Sequence, residues 1–306
     1  MSCPGACICH GTIVDCRDGQ INVTEIVSLS TESRKIFFSN SKIGSLTVPF
    51  KLPLVFLVNL SDTGIEEIQP GIFEAMKNLR TLDISYNTLT VLHENTFKGL
   101  IKLQELVLDN NIYLHQIENG AFRDLENTKE IKMTHLHISF LGRYTFQGLN
   151  KLKKIDLRFN KISNVENHAF YGLEKLESLL ISYNEIKTFE SEIFGGLTSL
   201  HYLETDEYEL CCLKPSSVDE ANCQLLQAYE FYSCEDLVGN VSLRVLLWII
   251  GILSLVGNLA SFMFRKWKLG LQLKMGYGIF VTNLIVSDVL MGIYMLLMAV
   301  ADTYFR

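Results

Sequence analysis

Along the middle of the chain, apolar residues recur in one fixed phrase, L-x-x-L-x-L-x-x-N. It begins at Leu79 ("LRTLDISYNTL"), Leu103 ("LQELVLDNN"), Leu152 ("LKKIDLRFNKI") and Leu176 ("LESLLISYNEI"). The third apolar position runs through Phe38, Leu60, Ile84, Leu108, Met133, Leu157, Ile181 and Thr205, in steps of 22, 24, 24, 25, 24, 24 and 24 residues. Phe73, Phe97, Phe122, Phe146, Phe170 and Phe194 keep the same period, four of them inside an F-x-G-L phrase. Two markers in phase predict a stack of short parallel strands, one per repeat, with the Leu and Ile side chains inward. No single unit can bury its own apolar face, so stability is a sum over neighbours. Asn87, Asn111, Asn160 and Asn184 are expected to turn the chain and bond to adjacent backbone, with the phenylalanines forming a spine beneath.

After about residue 240 the pattern changes. Val245 to Phe264 contains no charged residue, and Gly276 to Ala301 contains only Asp288. Crossing a bilayer takes ~20 predominantly apolar residues, so both stretches are expected to span a membrane. The loop between them carries Arg265, Lys266, Lys268 and Lys274 and no acid. Basic loops stay cytoplasmic, which leaves the repeats outside. Asp288 costs ~2.5–3.5 kcal/mol on insertion scales, and intramembrane acids of this kind mark function. It is too short to reach the surface as lysine or arginine would.

The eight cysteines fall in two clusters, Cys3, Cys7, Cys9 and Cys16, then Cys211, Cys212, Cys223 and Cys234. They flank the repeats, where end caps are needed, and fit disulfides in an oxidising compartment. A zinc site using the first cluster and His10 is the alternative, but the spacing lacks paired short Cys hooks. Asn22, Asn59 and Asn240 open glycosylation sequons. The opening "MSCPGAC" has no apolar leader, so either an export signal precedes it or the start is mis-assigned.

The period and cysteines predict a leucine-rich repeat solenoid, a parallel β horseshoe with cysteine caps. Residues 1–32 form the N-terminal cap, 33–208 the repeats, 209–240 a cysteine hinge and 241–306 two transmembrane helices. The strands' outward positions hold Asp83, Ser85, Glu105, Asp109, Glu130, Lys132, Lys154, Asp156, Arg158, Leu180 and Ser182, with Tyr86, His135, Phe159 and Tyr183 at the strand ends. Dense charge of both signs with aromatics suits a folded protein ligand better than a lipid or metabolite. A glycan on Asn59 would limit that ligand towards the N-terminal end. The net charge of −7 disfavours nucleic acid. No GxSxG, HExxH or P-loop phrase occurs, so neither catalysis nor a cofactor is expected.

Several stretches resemble known receptors. "CPGACICHGTIVDC" resembles the N-terminal cysteine cap of extracellular leucine-rich repeat proteins. "GNLASF", with Gly257 and Asn258, resembles the first-helix signature of rhodopsin-like G-protein-coupled receptors. "NLIVSDVLMGIY" resembles their second helix, with Leu284 and Asp288 on the family's L-x-x-x-D phrase. "SCEDLVGNVSLRVLLWIIGILSLVGN" is similar to the glycoprotein hormone receptor branch, whose hinge the Cys211–Cys212 doublet also resembles. The resemblance implies a plasma-membrane, multi-pass hormone receptor with an extracellular repeat domain. Its partners would be a cystine-rich, glycoprotein hormone-like protein, membrane lipid and a heterotrimeric G protein. It further implies that one of Cys211 and Cys212 bonds Cys234 and the other Cys223. A sodium ion is implied at Asp288, near Asn258, in the complete receptor. The family has seven spans and this chain two, so it is expected to be an incomplete receptor. A relaxin-like peptide receptor and a membrane-anchored adhesion or decoy protein are the alternatives.

Overall fold

The computed structural model describes residues 3–19, 21, 23–26, 28–190, 192–226, 241–269 and 276–304. It divides into two compact units, Met1–Gln227 and Ala228–Arg306. Asn22, Cys234, Asn240 and Lys274 lie outside the described residues.

The first unit is the predicted solenoid. Its main sheet has eleven strands in chain order. The opening pair, Ile8–His10 and Ile13–Asp15, is antiparallel. Every later neighbour is parallel and in register: Leu82 faces Leu106, Leu106 faces Ile131, then come Ile155, Leu179 and Leu203. Strands such as Thr81–Asp83 and Glu105–Val107 bury only the central residue, so one face packs inward and the other is open. The tracked column from Phe38 to Thr205 is buried throughout. Fully burying such a side chain contributes about 1.5–3 kcal/mol.

The phenylalanine spine begins one repeat earlier than the sequence pattern placed it. Phe50, Phe73, Phe97, Phe122, Phe146 and Phe170 stack with centroids 5.7 Å to 6.4 Å apart. The F-x-G-L glycines all have positive φ, from 85° to 105°, and at two of them packing also leaves no room for a side chain. A side chain at Gly148, where φ is +105°, would lie 2.5 Å from the Arg123 carbonyl oxygen. Gly99 stands as close to the Glu74 backbone.

The asparagine ladder forms as expected at three of its four rungs. Asn87 donates to the Leu60 and Ile84 carbonyls at 2.8 Å and 3.0 Å, and its side-chain oxygen accepts from the Thr63 and Ile65 N–H groups. Asn111 and Asn184 repeat the donation and accept from Leu89 and Ile162. Asn160 donates to Met133 and Leu157, but its buried oxygen has no partner. The preceding repeat carries Leu136 where the ladder asparagine would stand.

Both ends of the solenoid are closed. Cys3–Cys9 and Cys7–Cys16 tie the first hairpin, and Cys211 bonds Cys223. The latter pair joins helix Tyr208–Cys212 to strand Cys223–Leu225, which covers the sheet edge beside Tyr202–Thr205. Cys212 is also disulfide-bonded.

The second unit holds two 29-residue helices, Val241–Leu269 and Gly276–Tyr304. Windows Val245–Phe264 and Asn283–Ala301 are long and apolar enough to cross a membrane, with only 6% and 17% of their residues buried. The helices meet over small residues, as membrane helices do. A side chain added at Gly292 would meet Leu255 N and Gly251 O at 3.1 Å and 3.2 Å. Across that contact the Ser254 hydroxyl donates to the Asp288 carbonyl at 2.9 Å, and Asn258 donates back to the Ser254 carbonyl.

The ladder generates a test. A buried polar group left unpaired costs about 1–3 kcal/mol. Asn87→Ala orphans main-chain groups on two repeats, whereas Asn160→Ala also removes an oxygen that is already unpaired. In urea unfolding of the detergent-solubilised chain followed by circular dichroism, Asn87→Ala should lower the midpoint clearly more. Equal losses would mean that the ladder's accepting half carries no weight.

Candidate ligand-binding face

The open face of the sheet is built from the first and third residues of each strand. Its N-terminal part forms a depression of about 430 Å³ lined by Asn59, Asp83, Tyr86, Glu105, Asp109 and Lys132. The charges that the sequence placed there are largely spent on one another. Lys132 Nζ lies 2.9 Å from Glu105, and Lys154 Nζ lies 3.5 Å from Glu130. Glu105 holds the Lys132 ammonium above the usual lysine pKa. Asp83 accepts from the Ser85 hydroxyl and from the Asn59 amide, and Asp109 accepts from Thr134.

At the C-terminal part Arg158 spans two acids. It donates to Asp156 through Nε and Nη2 at 2.9 Å and 2.7 Å, and its Nη1 lies 3.6 Å from Glu204. The hydrogen bond to Asp156 holds the guanidinium pKa above its usual value. Glu204 also accepts from the Ser182 hydroxyl at 2.5 Å.

Alternation along the strands implies that Ser85, Asp156, Leu180 and Ser182 are open contact positions, and the structure corrects this. All four are buried in the isolated unit. Ser85 is bonded under Asp83, Asp156 lies beneath the Arg158 guanidinium, and Ser182 sits under Glu204. Glu204 itself was missed by the sequence reading. Its register with Leu180 in the neighbouring strand is the signal that would have found it. Asn59, proposed as a glycan acceptor, is half-buried on the face, and its amide is engaged by Asp83.

One column at the strand ends stands apart. Asp18, Asn40, Asp62, Tyr86, Asn110, His135, Phe159 and Tyr183 follow the strands at successive repeats, all with φ between 54° and 62°. Their N–H groups carry the ladder onward, Tyr86 to Asp109 and Phe159 to Ser182 among them. Asp and Asn tolerate this left-handed conformation, but it is an outlier for bulky side chains. At its C-terminal end the column is nevertheless aromatic. The His135 and Phe159 rings stack at 4.5 Å, and Phe159 and Tyr183 at 4.2 Å. Phe159 and Tyr183 remain 40% and 50% exposed. One repeat on, the corresponding residue is Glu207. Burial first, then the charges of Asp206 and Glu209, push its carboxyl pKa up.

Among the described residues no group of three or more His, Cys, Asp or Glu side chains could hold a metal. The repeat architecture has relatives. The family model for BspA type leucine-rich repeat regions, in six copies, matches residues 66–201 and 115–238. The chain belongs to this leucine-rich repeat family. The repeat chain is also similar to named receptors. The G-protein coupled receptor GRL101 of Lymnaea stagnalis is 42% identical over 109 residues, 34% of this chain and 9% of that receptor. The follicle-stimulating hormone receptor of Felis catus is 35% identical over 106 residues, 34% of this chain and 14% of the receptor. Reticulon-4 receptor-like 2 of Rattus norvegicus is 27% identical over 142 residues, 46% of this chain and 28% of the relative. The chain thus spans less than a third of these relatives, which are receptors and not enzymes. Two solved structures share the leucine-rich repeat fold. TLR13 in complex with ssRNA13 gives a TM-score of 0.56 at 24% identity, covering 64% of this chain and 28% of that one. Human 5T4 gives 0.53 at 24% identity, covering 67% and 81%.

Glu207 gives a pH prediction. Its pKa is raised in the fold, so ionising it costs folding stability. That cost is absent below the ordinary glutamate value of 4.5 and complete once pH has passed the raised folded value. Glu207→Gln should therefore raise the urea midpoint at neutral pH and leave it unchanged in mild acid. A gain of equal size at both pH values would assign the effect to something other than charge.

Proposed function

We propose that the chain is the ligand-capturing region and first two membrane helices of a hormone receptor of the G-protein-coupled class. The identity with one G-protein coupled receptor, GRL101, and with the follicle-stimulating hormone receptor carries this reading. The mixed-charge sheet face and the two apolar helices support it. In this reading the solenoid lies outside the plasma membrane and presents its open face to a cystine-rich protein hormone. The full-length, multi-pass receptor passes the signal to a heterotrimeric G protein. Asp83, Glu105, Asp109, Glu130, Lys132, Lys154, Arg158 and Tyr183 remain the contact residues, and Ser85, Asp156 and Ser182 brace them from beneath. A glycan on Asn59 would bound the face. Complementary charge at such a face acts mainly on association rate.

Asp288 is the second functional element. Its main-chain carbonyl accepts from the Ser254 hydroxyl and Asn258 donates to the Ser254 carbonyl, so the three residues meet at one helix contact. Oxygen donors of this kind suit a hard cation, and a sodium ion held there would favour one of two bundle states. A ligand or ion shifts such an equilibrium only through its differential affinity for the two.

A membrane-anchored adhesion role is the second reading: the longer aligned stretch, 142 residues, is with reticulon-4 receptor-like 2, whose name carries no G-protein coupling. Cells displaying the full-length receptor separate the two. Purified glycoprotein hormones, follicle-stimulating hormone among them, should bind and raise a second-messenger signal in the first reading only. Lys132→Glu with Lys154→Glu should slow association at low salt without unfolding the solenoid, since Arg158 is left in place over Asp156. An unchanged on-rate would remove the face from the site. Asp288→Asn should leave hormone binding intact while altering signalling and its sodium sensitivity. Wild-type signalling at every sodium concentration would remove the role given to Asp288.

A further inference from the structure

The aromatic end of the left-handed column has no structural need to be aromatic. The same corner is made by Asn40 and Asn110, which tolerate its backbone without strain. Strained conformations retained in this way cluster at ligand clamps. His135, Phe159 and Tyr183 instead form a three-ring stack that is exposed along its length. Acid gathers where the stack ends. Asp206 accepts the N–H of Asn184, the residue after Tyr183, at 3.2 Å, which brings its carboxylate to the backbone that follows the last ring. Glu207 stands one repeat on from Tyr183, in extended backbone at φ −89°, and Glu209 follows within the same short segment. Among the described residues no lysine or arginine lies within ion-pair distance of these three acids.

A flat π surface ending in uncompensated carboxylates fits one side chain above others. The arginine guanidinium is planar, always charged, stacks on aromatic rings and pairs with carboxylates through paired N–H donors. We propose that the His135–Phe159–Tyr183 stack, with Asp206 and Glu207, is the docking site for an arginine of the protein ligand. The guanidinium extends the stack past Tyr183 by one rung and binds the acids at its rim. The site rests on the reading of this unit as a protein receptor, and it adds a contact at the edge of the sheet, beside the charged face.

The test uses the whole chain in nanodiscs of zwitterionic phosphatidylcholine, so that anionic lipid does not compete for the probe. The probes are surface-immobilised Gly-Arg-Gly-Arg-Gly, its lysine counterpart and its citrulline counterpart, read by interferometry. The arginine peptide should bind about threefold to tenfold more strongly than lysine, and citrulline should not bind. The double substitution Phe159→Asn with Tyr183→Asn should erase the preference for arginine over lysine. It should hold or raise the urea midpoint, because asparagine suits the left-handed corner. Glu207→Gln should weaken arginine binding while stabilising the fold at neutral pH, which separates a lost contact from misfolding. An arginine preference that survives the double substitution overturns the site. Equal binding of lysine, or of citrulline, overturns it as well, since then stacking or charge is not read. Hormone is absent from the measurement, so a failed hormone assay removes the receptor reading without altering this result.

Discussion

Everything in the solenoid depends on one constraint: each repeat must reverse direction after a strand of only three or four residues. The reversal exposes main-chain N–H and C=O groups at a corner that the next repeat covers, and buried groups of that kind must be paired. Two devices do this. The left-handed corner residue passes its N–H to the following repeat, and the ladder asparagine satisfies carbonyls of its own and the preceding repeat together with amides of the preceding one. The apolar columns fill the space these bonds define. Cores of this kind are packed as tightly as organic crystals, so the phenylalanine spine and the glycines beside it are set by the same spacing.

The same periodicity made the fold legible from sequence. The inner column and most of the spine follow directly from step length, because a repeat that buries one residue must bury its counterparts. The cap pairings did not follow. Four cysteines allow three connectivities, and only the local hairpin selects Cys3–Cys9 with Cys7–Cys16. Phe50, 23 residues before Phe73, keeps the same period and was open to the same reading.

The open face was legible in position and not in state. Alternation assigns Asp156 and Ser182 to the sheet's outer side, and they are there. What alternation cannot express is how long side chains fold over short ones. Arg158 covers Asp156 two residues back in its own repeat, and Glu204 from the next repeat covers Ser182. The result is a face whose charges are pre-paired, so a ligand meets an ordered surface instead of mobile lysines.

The leucine at position 136 has a further consequence for cooperativity. A solenoid behaves as a one-dimensional array in which each unit is coupled only to its neighbours. Where Leu136 interrupts the ladder, Asn160 keeps its donors but loses the acceptor contact that Asn87, Asn111 and Asn184 all have. The coupling across that seam is therefore weaker than elsewhere, while disulfides secure both ends. An array stitched at its ends and loosened in its middle opens from within. The arginine-facing stack bridges this seam, His135 preceding Leu136 and Phe159 and Tyr183 following it, whereas Asp83 and Glu105 lie wholly on its N-terminal side.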